Sequence, residues 1–336
     1  MVNSIELDSI RKKCDELGIS FGVIKGEAFN RSSYRKIMDI LSLDEWKDKK
    51  YKKLLCSNTF QLGAEEIKEI LNLEGWSNPM FKPLLTSTIW KSNSREIKLI
   101  LSMPEWEDEK FRSLLTSTIW LSNSKEIKEI LSMPEWDDEK FRLLLTSNIW
   151  NSNSREVKEI LSIPEWAEAK FRPLLTSNIW KSNSREIKSI LSMPEWNDER
   201  FRPLLTSTIW KASYKNIKSV LAMEEWNDTE YSKLLTTNIL MIKPEKIRNS
   251  IKLGKHFNID KFMTVNLVRK PLNQVYAIGC YLMKRNISLV DNMKLHTFFS
   301  IEGIVLKRKY NIDIKKLVQL YPMPDNLLNE RSEKHV

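Results

Sequence analysis

Between Ser92 and Trp210 a thirty-residue text is written four times, beginning at Ser92, Ser122, Ser152 and Ser182. The first copy opens Ser92-Asn-Ser-Arg-Glu-Ile-Lys and closes Leu-Leu-Thr-Ser-Thr-Ile-Trp120. Looser copies begin near Ser32, Leu62 and Ala212, which makes about seven in register. A fixed period of this length leaves one kind of solution. Each repeat is too small to bury its own apolar face, so the repeats stack and stability comes from neighbour contacts rather than from one central core.

Inside a repeat the apolar residues follow a helical period. Ile97, Ile100 and Leu101 fall at i, i+3 and i+4, and Phe111, Leu114 and Leu115 do the same. The spacing predicts a first helix starting near Asn93, with Glu96 placed to complete a capping box. Pro104 should close that helix or open a short Pro-Glu-Trp turn. A second helix is expected around Phe111, with Pro83, Pro173 and Pro203 in its first turn. The fold class is then all-α: an α-solenoid of about seven 30-residue helix-turn-helix repeats with N- and C-terminal helical caps.

The tryptophans obey the register. Seven, from Trp46 to Trp226, end the mid-repeat turn, and five, from Trp90 to Trp210, close the repeat. Exposed, such rings could stack on bases. Identical rings at identical offsets are also what an inter-repeat seam needs, and the seam is the reading adopted.

The ends differ from the array. Residues 1–30 read as N-terminal capping helices, with Leu7 to Leu17 helical and Gly18 suited to a left-handed helix end. Residues 31–240 hold the seven repeats, 241–324 a basic C-terminal helical segment and 325–336 a flexible tail. Residues 241–336 carry 18 of the 54 Lys/Arg and 8 of the 44 Asp/Glu, so the net charge of +10 sits there and 1–240 is balanced. Charge asymmetry of this kind points to a polyanionic partner.

Several chemistries find no footing. Gly is absent from Trp76 to Leu253, so phosphate-cradling glycine loops are excluded across most of the array. His256, His296 and His335 have no metal-ligand spacing with one another or with Cys14, Cys56 and Cys280. The expectation is no enzyme, no metal and no cofactor. Three scattered cysteines, no apolar run of about 20 residues and no leader-like start suggest a cytoplasmic monomer without a membrane partner.

Two patterns on the repeats offer candidate binding residues. Basic pairs one helical turn apart recur as Arg95/Lys98, Lys125/Lys128, Arg155/Lys158, Arg185/Lys188 and Lys215/Lys218, and with Lys307, Arg308 and Lys309 they are the candidate phosphate contacts. A second basic row runs Lys82, Arg112, Arg142, Arg172, Arg202. Either row could equally be intrahelical pairing and solubilising surface. The other pattern is variation: Thr88, Thr118, Asn148, Asn178 and Thr208 stand two before the closing Trp, and Lys91, Leu121, Asn151, Lys181 and Lys211 stand after it. Variable polar residues on a constant scaffold suit base-edge readout, one base per repeat; drift at exposed sites gives the same pattern. Two more variable sites lie in the first helix (Leu99, Glu129, Glu159, Ser189, Ser219) and the acidic turn (Glu107, Asp137, Ala167, Asn197).

The unit Ser-x-Glu-Ile-Lys-x-Ile-Leu-x-x-Pro followed by Phe-Arg-Pro-Leu-Leu resembles the repeat of the mitochondrial transcription termination factors, and Pro271–Ile287 looks like that family's closing stretch. The resemblance spans 31–321 and implies a curved helical array that binds double-stranded nucleic acid along a basic face. In its near-perfect repetition the chain is more similar to plant-pathogen effectors that read DNA one base per repeat. The expected function is a non-enzymatic, modular binder of DNA or RNA, with a scaffold for a peptide or protein partner as the alternative.

Overall fold

The computed structural model describes residues 3–257, 263–284 and 313–324, and among them every regular element is helical. They fall into two compact units. One comprises 1–164 with 175–184, and the other 165–174 with the residues from Arg185 onward.

Each repeat holds one two-turn α-helix and three tight 3-10 or single α turns. In the repeat from Ser92 these are the Ser94–Leu101 helix and the turns Pro104–Glu107, Glu109–Leu114 and Ser117–Leu121. Asn93 caps the helix, its Oδ1 accepting from the Glu96 amide at 2.9 Å, and Ile97, Ile100 and Leu101 form its buried face. Pro104 opens the Pro-Glu-Trp turn as its spacing suggests.

The second helix does not form as a helix. Its segment is one 3-10 turn in the copies at Pro79–Leu84, Glu109–Leu114 and Glu199–Leu204, and a four-residue α turn at Glu139–Arg142. What stops it is a reversal at the second Leu. Leu85, Leu115 and Leu205 lie near φ −75° and ψ 75°, and the amide two residues after the first Leu bonds its carbonyl (Thr86 to Leu84, 2.9 Å; Thr116 to Leu114, 2.8 Å). These are inverse γ-turns. Pro83 and Pro203 sit deep in their turns, not in a first helical turn, because so short a segment never asks for the missing i→i−4 bond.

The tryptophans are core. Trp46, Trp106, Trp136, Trp166, Trp196 and Trp90 are all under 2% exposed. The two sets have different partners. Mid-repeat rings bond within their own repeat, as Trp106 Nε1 donates to the Ile100 carbonyl at 2.7 Å. Closing rings reach back 36 residues into an earlier repeat: Trp120 to Leu84 (2.9 Å), Trp150 to Leu114 (3.0 Å), Trp180 to Leu144 (2.9 Å), Trp210 to Leu174 (3.0 Å). The sets also meet edge to face, Trp76 against Trp120 and Trp166 against Trp210, each with ring centroids 6.4 Å apart. An indole buries up to ~250 Å², roughly 6 kcal/mol of transfer free energy at most. No stacking platform for bases remains on these rings.

The glutamate of the expected capping box does something else. Glu96 accepts from the Ser124 amide at 2.7 Å, Glu126 from the Ser154 amide at 2.6 Å, and Glu186 from the Tyr214 amide at 2.9 Å; Glu156 does the same for Ser184. Each carboxylate thus satisfies a first-turn N–H of the next repeat's helix rather than its own N-cap. The helices are only eight residues long, too short to be stable alone. Their order comes from these cross-repeat bonds and the buried stripe.

At the N-terminus the Ser4–Leu17 helix ends on Gly18 in the left-handed region, φ 66°, as its sequence position suggests. In the second compact unit Pro244–His256 is a thirteen-residue helix, longer than any repeat helix, and it leads to Val265–Arg269 and Leu272–Lys284. Ile314–Leu320 packs against the last of these. The candidate tail 325–336 and the segment around Lys307, Arg308 and Lys309 lie outside the described residues.

Candidate functional site

The helix geometry leaves one face of each short helix free. Positions 97, 100 and 101 turn inward, so positions 95, 98 and 99 turn outward and are exposed. In the first compact unit the helices 64–71, 94–101, 124–131 and 154–161 lie side by side, and shallow clefts run between their exposed faces. The cleft between Ser124–Leu131 and Ser154–Leu161 has a volume of about 720 Å³ and is bordered by Lys125, Lys128, Glu129, Glu135, Arg155 and Lys158. In the second compact unit a cleft of about 400 Å³ is bordered by Arg185, Lys188, Ser189, Tyr214 and Lys218. Of the basic pairs named from sequence, Lys125/Lys128, Arg155/Lys158 and Arg185/Lys188 border these two clefts together with Lys218.

Their pairing differs. Lys125 meets Glu129 at 3.9 Å and Arg155 meets Glu159 at 2.9 Å. Arg95, Lys98, Lys128, Lys158, Arg185, Lys188, Lys215 and Lys218 make no ion pair among the described residues, and Lys218 lies 5.8 Å from the Tyr214 ring. Glu159 is held below the usual carboxylate range, first by the Ser184 hydroxyl and then by Arg155. Glu135 and Glu195 place one buried carboxylate oxygen each in the cleft lining with no hydrogen-bond partner among the described residues.

Three of the five residues of the second basic row are neutralised locally, while Lys82 and Arg172, with Pro79 and Ala169 three residues earlier, make no ion pair among the described residues. Arg112, Arg142 and Arg202 pair with Glu109, Glu139 and Glu199 three residues earlier, at 3.4, 3.6 and 3.2 Å. Exposed pairs of this kind contribute well under about 1 kcal/mol.

The residues assigned to base readout lie elsewhere. Thr88 shares a hydrogen bond with Thr86 (2.7 Å) and donates to the Ser117 carbonyl of the next repeat (3.1 Å). Thr118 repeats this with Thr116 and Ser147, and Thr208 bonds Thr206. The half-buried hydroxyls of Thr88 and Thr118 serve the repeat interface and that of Thr208 is taken up by its own turn, so none of the three is free for the base readout its sequence position suggests. Asn148 and Asn178 are half-buried on the same turn. Where Asn stands, the Thr146 and Thr176 hydroxyls lose that neighbour and are buried without a hydrogen-bond partner among the described residues. Lys91, Leu121, Asn151, Lys181 and Lys211 are exposed at the ends of their turns, away from the residues that border the clefts above. The acidic-turn variation is partly structural: Asp137 receives Lys110 of the preceding repeat at 2.9 Å, and Asn197 receives Lys170 at 3.1 Å.

Sequence reasoning noted the variable helix position 129, 159, 189 and 219 without giving it a role. Glu129, Ser189 and Ser219 line clefts beside the basic residues, and only the exposed phase of the helix, i+1 from the lysine, could have signalled that.

Among the described residues no three His, Cys, Asp or Glu come together as a metal-binding group, and no helix is long and apolar enough to cross a membrane. Comparison with protein-family models, with curated proteins and with solved structures found no match to this chain.

Proposed function

We propose that this chain is a non-enzymatic, modular nucleic-acid-binding protein whose short repeat helices present cations to the phosphate backbone. The observation that carries the reading is Lys98, Lys128, Lys158, Lys188 and Lys218: one ammonium group per helix, at one exposed position, with no carboxylate partner among the described residues. Flexible, strongly hydrated point charges of this kind suit phosphate contact rather than base identity. The charge excess of 241–336 supports the same partner, with Lys307, Arg308 and Lys309 as its further contacts. The likeness to mitochondrial transcription termination factors agrees in kind, and a cytoplasmic setting is proposed with it.

The test is anisotropy titration of labelled single-stranded and duplex DNA and RNA between 50 and 200 mM salt, chosen as about the range over which phosphate contacts show their salt dependence. Binding that weakens as a power law in salt is expected. Lys128→Gln with Lys158→Gln should lower the log–log slope by about two. No binding to any of these at the lowest salt would reject the reading. The alternative, a scaffold for a protein partner, draws on Leu99, Leu121 and Leu143, which are 43, 53 and 73% exposed where other repeats carry different residues. Salt-insensitive binding to a protein and none to nucleic acid would favour it.

A further inference from the structure

The residue that follows the unpaired lysine, or Met38 in the first repeat, changes along the array: Asp39, Glu69, Leu99, Glu129, Glu159, Ser189, Ser219. At three of the four acidic positions it turns back on its own helix. Asp39 meets Arg35 at 4.0 Å, Glu129 meets Lys125 at 3.9 Å, and Glu159 meets Arg155 at 2.9 Å. Glu69 and Glu159 also accept from the following repeat's Ser94 (2.8 Å) and Ser184 (2.7 Å), and Glu129 accepts likewise from Ser154, which holds the Glu129 carboxylate in the cleft wall. Such a cleft carries its own counter-ion.

In the second compact unit that counter-ion is gone. Ser189 donates its hydroxyl to the Arg185 carbonyl at 2.8 Å, and Ser219 is exposed. Arg185 and Lys215 then have no carboxylate partner among the described residues. The Tyr214–Leu221 helix goes further. Asn216 replaces the glutamate of the sister helices and donates its side-chain amide to the Leu240 and Ile242 carbonyls at 2.6 and 3.1 Å, so the helix contains no carboxylate at all. It is flanked by two clefts. One of about 400 Å³ presents Arg185, Lys188 and Lys218. The other, of about 700 Å³, presents Lys215, Lys243 and Arg248, of which Arg248 is held by Glu225 at 3.4 Å. Glu195 and Glu245 are the acids in these walls.

We infer that the two clefts flanking Tyr214–Leu221 are the principal phosphodiester-binding site, and that the residue at 129, 159, 189 and 219 sets whether a cleft is self-neutralised or open to an anion. The inference rests on the nucleic-acid reading above. Its physical content is counterion release. A cation already paired to a fixed carboxylate has no condensed ion to displace from the nucleic acid, whereas a free one adds about one contact to the salt slope.

The experiment installs in the full chain, at 189 and 219, the acid its own neighbours carry. Ser189→Glu with Ser219→Glu should neutralise Arg185 and Lys215, lower the log–log salt slope by about two and weaken binding on the order of 50-fold at about 0.1 M salt. Ser189→Gln with Ser219→Gln adds the bulk without the charge and should leave binding unchanged. Glu129→Ser with Glu159→Ser should raise the slope. Equal urea midpoints check that all variants fold. If the parent binds and the Glu pair changes nothing, this inference falls while the nucleic-acid reading stands; if the Gln pair weakens binding as much as the Glu pair, shape rather than charge is responsible and the inference also falls. If the parent binds vesicles of anionic phospholipid but no DNA or RNA, both fall.

Discussion

The two tryptophan sets give the sharpest test of how this chain is held together. Trp106 bonds inside its repeat and Trp120 bonds to Leu84 of an earlier one, yet both are indoles at most 2% exposed. Replacing either by Phe removes one N–H···O bond and half of a fused ring. Leu84 keeps the Thr86 amide as a donor (2.9 Å), so the cost is the net worth of a hydrogen bond, about 1–1.5 kcal/mol, rather than full desolvation of an orphan carbonyl. The lost ring volume and the edge-to-face contact with Trp76 add roughly 1–3 kcal/mol more. Each substitution should therefore cost about 2–4 kcal/mol.

The distinction lies in cooperativity. In a linear array, stability is a sum of intrinsic repeat terms and nearest-neighbour coupling terms. Trp106→Phe reduces an intrinsic term, so the urea transition should move to lower concentration with its steepness kept. Trp120→Phe reduces a coupling term, so the transition should move and also broaden, with a lower apparent m-value as blocks of repeats unfold separately. Far-UV circular dichroism through a urea titration reads both quantities. Identical slopes for the two variants would refute the assignment of Trp120 to the coupling between repeats.

Three further outcomes are expected. Glu126→Ala leaves the Ser154 amide without its acceptor and should cost about 1 kcal/mol in a urea titration, whereas Glu126→Gln keeps an acceptor and should cost less; equal costs would show that the charge, not the cap, matters. Glu159 is held below its usual range in the folded chain, so its contribution is present above the unfolded value of about 4.3 and is lost as pH falls through the lowered one. Glu159→Gln should flatten the fall in urea midpoint between about pH 5 and pH 3, and a parallel fall would contradict the pairing. Burial, with Asp15 second, pushes the Cys14 thiol up to about 11, so a disulfide reagent at pH 8 should spare Cys14 in the native chain and label it once urea unfolds it; mass spectrometry of digested protein reads the site.

The all-helical, solenoid-like repeat fold was legible because its signals are local and repeated. Asn93 caps where its spacing says, Pro104 opens its turn, and Gly18 ends its helix. The second helix was misread because Phe111, Leu114 and Leu115 fit an α period over five residues, and five residues cannot tell an α turn from a 3-10 turn closed by a γ reversal at Leu115. Glu96 was placed on its own N-cap because sequence spacing knows only one chain segment. The competing acceptor need, the Ser124 amide, lies 28 residues away. Thr88 and Thr118 were misread for the same reason: variable polar residues look exposed until the neighbouring repeat, with the Ser117 and Ser147 carbonyls, is set beside them.

This points to a rule for where variation can carry function in such an array. A residue that bonds the next repeat is constrained from both sides, so variation there alters the interface, as when Asn148 and Asn178 leave the Thr146 and Thr176 hydroxyls without a partner among the described residues. The outward phase of the short helix is held more loosely: the acids at 69, 129 and 159 accept a hydroxyl from the next repeat, but Leu99 has no group to do so and Ser189 turns to its own Arg185 carbonyl. Positions 95 and 98 stay basic from Ser92 onward through the repeat that starts at Ala212, while the adjacent position runs Leu99, Glu129, Glu159, Ser189, Ser219. On the proposed function, constant cations beside a varying counter-charge would grade affinity along an array whose sequence period stays at thirty residues. The stacking glutamates and closing tryptophans make that grading feasible, because repeats with Leu99 or Ser189 at the outward position keep the stacking bonds of Glu96 and Glu186.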